Sequence, residues 1–249
     1  MHIVAELTLK ALKPHGADAW RHYRQALTTA CKKSPPPFGS KAYGDIYRDA
    51  AGDPYWMAMS LLANAQREGE GAGQLWDLAS CTTNDPIASQ VRQHAIDESG
   101  HSRAYIALLD LAFPGVVEKT LHAQLASLSP GYTRESPREP HGRSPFARPI
   151  TLDDLIQMNI AEIRTLIHHM LQRPMLVGHC AAERHHRLIS ILDALLSDET
   201  RHIAYTGALI ETFARNGEAP TVTGLVQERL VDFNEITRHE LRQSVFVSV

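Results

Sequence analysis

The chain has 249 residues, 43% of them hydrophobic and 21% charged, with a formal net charge of -3. That composition excludes disordered and fibrous classes, and near-neutral charge of mixed sign gives no basis for binding nucleic acid or an anionic membrane surface. No apolar run approaches the ~18 residues of a membrane span. The start, Met1-His2-Ile3-Val4-Ala5-Glu6, lacks a signal-peptide pattern. Cys31, Cys81 and Cys180 form neither a disulfide framework nor a Cys-x-x-Cys clip, so the expected location is the reducing cytoplasm.

A hydrophobic period near 3.6 recurs along most of the chain, and strand-like alternation is missing. The pattern predicts a first helix over 17–33, ended by Ser34 and the Pro35-Pro36-Pro37 run. Asp53-Pro54 then supplies a cap and a first-turn proline for a helix over 54–80. Asp85-Pro86 repeats that signal for a helix over 86–112, stopped by Phe113-Pro114-Gly115, and a shorter periodic piece covers 115–128. Residues 129–149, rich in Pro, Ser, Gly and Arg, read as a connecting loop. Thr151-Leu152-Asp153-Asp154 is a capping box with Asp in the acidic place, opening a helix to about residue 172. Pro174 and Gly178 mark its break; further helices are expected over 180–216 and 222–242. Two long helices with a tight turn, a crossover and two more long helices describe an all-α four-helix bundle with one long crossover and flanking helices. The expectation is a single domain over 1–249, with its bundle core at about 54–215.

Fourteen histidines need explaining. Asp97-Glu98-Ser99-Gly100-His101 and Asp198-Glu199-Thr200-Arg201-His202 both read Asp-Glu-x-x-His. Residues three apart share a helix face, so the Glu and His of each motif can reach one metal ion. Both motifs stand where the apolar stripe of their helix should run, and a buried charge there must be paired, neutralised or metal-bound. Glu162 interrupts the stripe Leu155, Met158, Leu166, His169 in the same way, and Glu68 interrupts Leu61, Ala65, Ala72, Leu75. Two residues at one level of an antiparallel helix pair are equidistant from the turn. The midpoint of Glu68 and Glu98 is Thr83, inside the expected turn; that of Glu162 and Glu199 falls between Cys180 and Ala181, just past Pro174 and Gly178. Glu70 satisfies the same depth test but lies off the stripe. A third Glu-x-x-His, Glu183 to His186, reads as an exposed helix start.

With these four carboxylates and two imidazoles, residues 54–215 resemble the ferritin-like di-iron carboxylate superfamily, the family in which this ligand set recurs. The intervals, 30 residues from Glu68 to Glu98, 64 on to Glu162 and 37 on to Glu199, are similar to those of bacterial monooxygenase hydroxylases and ribonucleotide reductase small subunits. The resemblance implies that Glu98 and Glu199 bridge two irons, that Glu68 and His101 complete one, and that Glu162 and His202 complete the other. Carboxylates with imidazoles and no thiolates suit iron or manganese, so an Mn/Fe pair is also compatible. His94, one turn before Glu98, reads either as a third imidazole ligand, as in arylamine N-oxygenases, or as a hydrogen-bonded core histidine. Tyr105 falls four residues after His101, where reductase small subunits keep a radical tyrosine; it reads either as a redox or gating residue or as packed core. The apolar tail Ser244–Val249 lacks the tyrosine of such subunits.

The resemblance implies an O2-dependent di-iron oxidase or monooxygenase acting on a small organic substrate, with an external electron donor and a homodimer left open. The alternatives are iron oxidation or peroxide removal of the ferritin and rubrerythrin kind, and a non-enzymatic helical scaffold whose buried Glu–His pairs fix register. Gly69, Gly71 and Gly73 in one helix read either as a small-residue wall beside the metals or as a site of close packing. Arg134, Arg138, Arg143 and Arg148 read as a solvated loop or as contacts for an anionic substrate.

Overall fold

The computed structural model describes residues 1–243, and every regular element among them is helical. The tail Ser244–Val249 lies outside the described residues. The α-helices are α1 (Ile3–Leu12), α2 (Arg21–Lys33), α3 (Lys41–Ala51), α4 (Pro54–Cys81), α5 (Asp85–Ala112), α6 (Lys119–Ala126), α7 (Leu152–His179), α8 (His185–Phe213) and α9 (Ala219–Gln243). None of the described helices is long and apolar enough to cross a membrane.

Capping chemistry starts the long helices where the sequence signals it. The Asp53 carboxylate accepts hydrogen bonds from the N–H groups of Tyr55 (2.8 Å) and Trp56 (3.4 Å), two donors the first turn of α4 would otherwise leave orphaned. For α5 the cap is Asn84, one residue earlier than expected, accepting from the Ile87 N–H at 3.2 Å; Asp85 then lies in the first turn, where the helix dipole favours its charge. Thr151 and Asp154 form the expected reciprocal box ahead of α7. The Thr151 N–H donates to Asp154 Oδ2 (2.8 Å), and the Asp154 N–H donates to Thr151 Oγ1 (3.2 Å).

Several boundaries differ from expectation. The first expected helix begins only at Arg21, after a 3-10 turn over Ala17–Ala19, and α1 and α3 have no counterpart in the expected set. α7 does not break at Pro174 but runs through it to His179. Proline removes the N–H that would bond the carbonyl four residues back, which is that of Met170. Pro174 and Met170 are both exposed, so the chain continues as helix on its outer side. α8 starts at His185, after a 3-10 turn over Ala182–Arg184. α8 and α9 are separated by a turn at Ala214–Glu218, where Gly217 has φ +108°, a conformation that favours glycine.

The chain divides into two compact units, each assembled from separate stretches, with α7 and α8 contributing to both. One unit holds Met1–Asp49, Thr151–Arg173 and Leu196 onward. Its core is Val4, Leu12, Tyr23, Leu27, Phe38, Ile156, Ile160, Ile203 and Ile210, all nearly or fully buried. Tyr23 ties α2 to two other helices: its N–H donates to Glu211 (2.9 Å) and its hydroxyl to Asn159 Oδ1 (3.0 Å). Arg229 of α9 makes a two-pronged pair with Asp153 of α7 (2.7 and 2.9 Å).

The other unit holds Ala50–Ile150 and Pro174–Leu195. It is built on the α4–α5 hairpin, whose facing stripes bury Leu61, Ala65, Ala72, Leu75, Val91, Ala95 and Leu108. The crossover segment after α6 lies against this hairpin. Its Tyr132 ring stacks on Trp76 (centroids 4.3 Å apart), and buried Asp77 accepts from the His141 N–H (2.7 Å) and Nδ1 (2.8 Å).

Candidate metal centre

In the α4–α5 hairpin the short link at Thr82–Asn84 sets Glu68 and Glu98 at one depth, as the midpoint argument requires. Glu98 is buried at 5% exposure between two imidazoles of its own helix. Nε2 of His94, one turn earlier, lies 2.9 Å from its Oε1, and Nδ1 of His101, three residues later, lies 3.5 Å from its Oε2. Glu68, across on α4, brings its Oε2 to 4.0 Å from the same Nδ1 of His101. Glu70, the other residue at that depth, is exposed and accepts a hydrogen bond from Gln66 at 2.8 Å. Tyr105, one turn beyond His101, is buried on the same helix at 3% exposure.

The other unit repeats the pattern on α7 and α8. Glu199 is fully buried, and Nδ1 of His202, three residues later, lies 3.6 Å from its Oε2. Its Oε1 faces a second imidazole, Nε2 of His169 on α7, also at 3.6 Å. Glu162 of α7 has a carboxylate oxygen within 4.8 Å of a ring nitrogen of His202. Each unit thus presents two carboxylates and two imidazoles. The third Glu-x-x-His is excluded from this set, since Glu183 and His186 are exposed.

These spacings fit metal ligation. Two donor atoms sharing one ion at about 2.0–2.2 Å stand roughly 2.8–3.6 Å apart at tetrahedral or octahedral angles. A hydrogen bond would bring N and O to about 2.7–3.2 Å. The His101–Glu98, His202–Glu199 and His169–Glu199 separations all exceed the hydrogen-bond range and match two ligands on one ion. Glu98 and Glu199 are both buried, where a carboxylate must be paired, neutralised or metal-bound. Carboxylate oxygen with imidazole nitrogen suits a divalent transition metal.

The surroundings fix the level of these groups. Ser99, next to Glu98 and fully buried, is gripped by the crossover: Ser129 Oγ donates to the Ser99 carbonyl (2.7 Å), and the Tyr132 N–H donates to Ser99 Oγ (3.0 Å). Gly69, next to Glu68, is where the Leu128 carbonyl approaches α4. In the other unit Asn159 Nδ2 donates to the Ile203 carbonyl (3.1 Å) and to Thr206 Oγ1 (2.9 Å), locking α7 against α8 within about one turn of Glu162 and His202.

The glycine alternatives are resolved separately for each position. Gly69 is a close-packing site against the crossover, whereas a side chain at Gly71 or Gly73 would meet open space. His169, seven residues beyond Glu162 on the same stripe, reads from the sequence as core or as a residue supporting the site; it lies at Glu199. No protein-family model matches the chain, and neither a curated protein nor a solved structure shows detectable similarity to it.

Proposed function

We propose that this protein is an oxidoreductase, an O2-activating dinuclear iron oxidase or monooxygenase acting on a small organic substrate. The observation that carries this reading is the repeated geometry of Glu98 with His101 and Glu199 with His202, buried pairs at ligand spacing on two separate helices. In this reading Glu68, Glu98, His101, Glu162, Glu199 and His202 would hold two iron ions of a ferritin-like bundle. Four carboxylates then balance the charge of two divalent ions.

Iron held this way would supply two electrons for dioxygen and the oxidising power for the substrate, with an external electron donor restoring the ferrous ions. The chain's own residues bind, orient and exclude water. The hydrogen bond from His94 to Oε1 of Glu98 turns that carboxylate. Leu61, Ala65, Val91 and Ala95 wall the α4–α5 side with apolar surface, which keeps reactive species from water. The three cysteines are free thiols, which suits a reducing cytoplasmic setting. Anaerobic Fe(II) titration followed by desalting tests the reading. About two irons per chain are expected, with less than one retained after Glu199→Ala; wild-type protein that retains none contradicts it.

A further inference from the structure

The two buried glutamates are bracketed alike. Glu98 turns Oε2 to His101 Nδ1 and Oε1 to His94 Nε2. Glu199 turns Oε2 to His202 Nδ1 and Oε1 to His169 Nε2. The chain builds the second bracket differently in the two units: His94 comes from the same helix one turn back, whereas His169 comes from the neighbouring helix α7. The distances differ in kind. His94 stands at 2.9 Å, within hydrogen-bond range, and His169 at 3.6 Å, beyond it. The His169 separation equals that of His202 from the same carboxylate. Both His169 and Glu199 are almost completely buried, at 4% and 0% exposure.

We propose that His169 is a metal ligand: Oε1 of Glu199 and Nε2 of His169 hold one ion, as Oε2 of Glu199 and Nδ1 of His202 hold the other. The inference rests on the dinuclear reading above and adds a third imidazole to its two. His94, at 2.9 Å from Oε1 of Glu98, stands at a separation that a hydrogen bond and a shared ion both allow. A neutral imidazole leaves the charge balance of four carboxylates and two divalent ions untouched, and it makes the ion beside Glu199 richer in nitrogen. That shifts its preference toward metals that favour imidazole.

Cobalt(II) titration of the metal-free full-length chain, followed by visible absorption, tests this. Wild-type protein is expected to bind about two ions with distinct ligand-field bands. His169→Gln should keep the fold by circular dichroism, weaken one of the two ions roughly 10–100-fold, and change the bands of that ion alone. Equal cobalt affinity and an identical spectrum in His169→Gln would overturn the proposal. Failure of the wild type to bind cobalt would instead overturn the dinuclear reading itself. Should the glutamine variant not fold, nitrogen NMR of histidine-labelled wild type with zinc decides: a metal-induced shift at Nε2 of His169 supports the proposal, and an unmoved resonance overturns it.

Discussion

A Cβ built on Gly69 would sit 1.9 Å from the carbonyl oxygen of Leu128, so the crossover backbone rests directly on α4 one residue from Glu68. Backbone cannot rotate away as a side-chain tip can. Gly69→Ala must therefore push the crossover outward, costing about 1–3 kcal/mol despite the better helix propensity of alanine. Gly73→Ala meets nothing within 4 Å and should gain up to ~1 kcal/mol from propensity. Thermal unfolding of the two variants should move in opposite directions, by roughly 2–4 °C per kcal/mol for a chain of this size.

The far end of the crossover is anchored by a buried charge. Asp77 is 2% exposed and accepts both the backbone N–H and Nδ1 of His141. With Nδ1 protonated, Nε2 accepts from the Tyr132 hydroxyl at 3.3 Å, so one carboxylate orders the loop on both sides of its turn. Asp77→Ala leaves those donors without an acceptor and should cost about 1.5–3 kcal/mol. It should also speed proteolytic cleavage within residues 129–149. Cleavage at the wild-type rate would show that the anchor does not hold the loop.

Much of this architecture was legible because local chemistry and burial agree. Asp53-Pro54 and the Asn84-Asp85-Pro86 run fix the starts of α4 and α5 by capping, and the same stripes that close the hairpin carry Glu68, Glu98 and His101. What escaped the sequence is tertiary. α3 is short and carries Gly44, so periodicity alone does not mark it; it is held by packing, with a hydrogen bond between the Tyr43 hydroxyl and His168 Nε2 of α7 at 2.6 Å. Pro174 is a genuine breaker signal that an exposed position overrides. The placing of His169 at Glu199 depends on the register between α7 and α8, which Asn159 and Thr206 set and no local pattern encodes.

Alkaline pH should loosen the unit containing α2. Burial pushes the Cys31 thiol up from 9.0 to about 12, partly offset by a backbone hydrogen bond to Ala5. Burial likewise raises the phenols of Tyr23 and Tyr47 above their ordinary value. The folded state thus holds these protons more tightly than the unfolded chain. Their contribution is fully present below about pH 9 and is lost as pH rises toward 12. Urea midpoints should fall across that window, and Cys31→Ala should make the fall shallower. A midpoint that stays level from pH 9 to 12 would contradict the burial of these groups.

The most direct test of the central claim is an O2 pulse on anaerobically Fe(II)-loaded protein, followed by stopped-flow absorption with Glu98→Ala alongside. On the proposed dinuclear reading, a visible band should rise on mixing, scale with iron up to about two per chain, and vanish in the variant. An iron-loaded wild type that stays silent, or a band that survives the loss of Glu98, would contradict a dinuclear oxygen-activating centre at these residues.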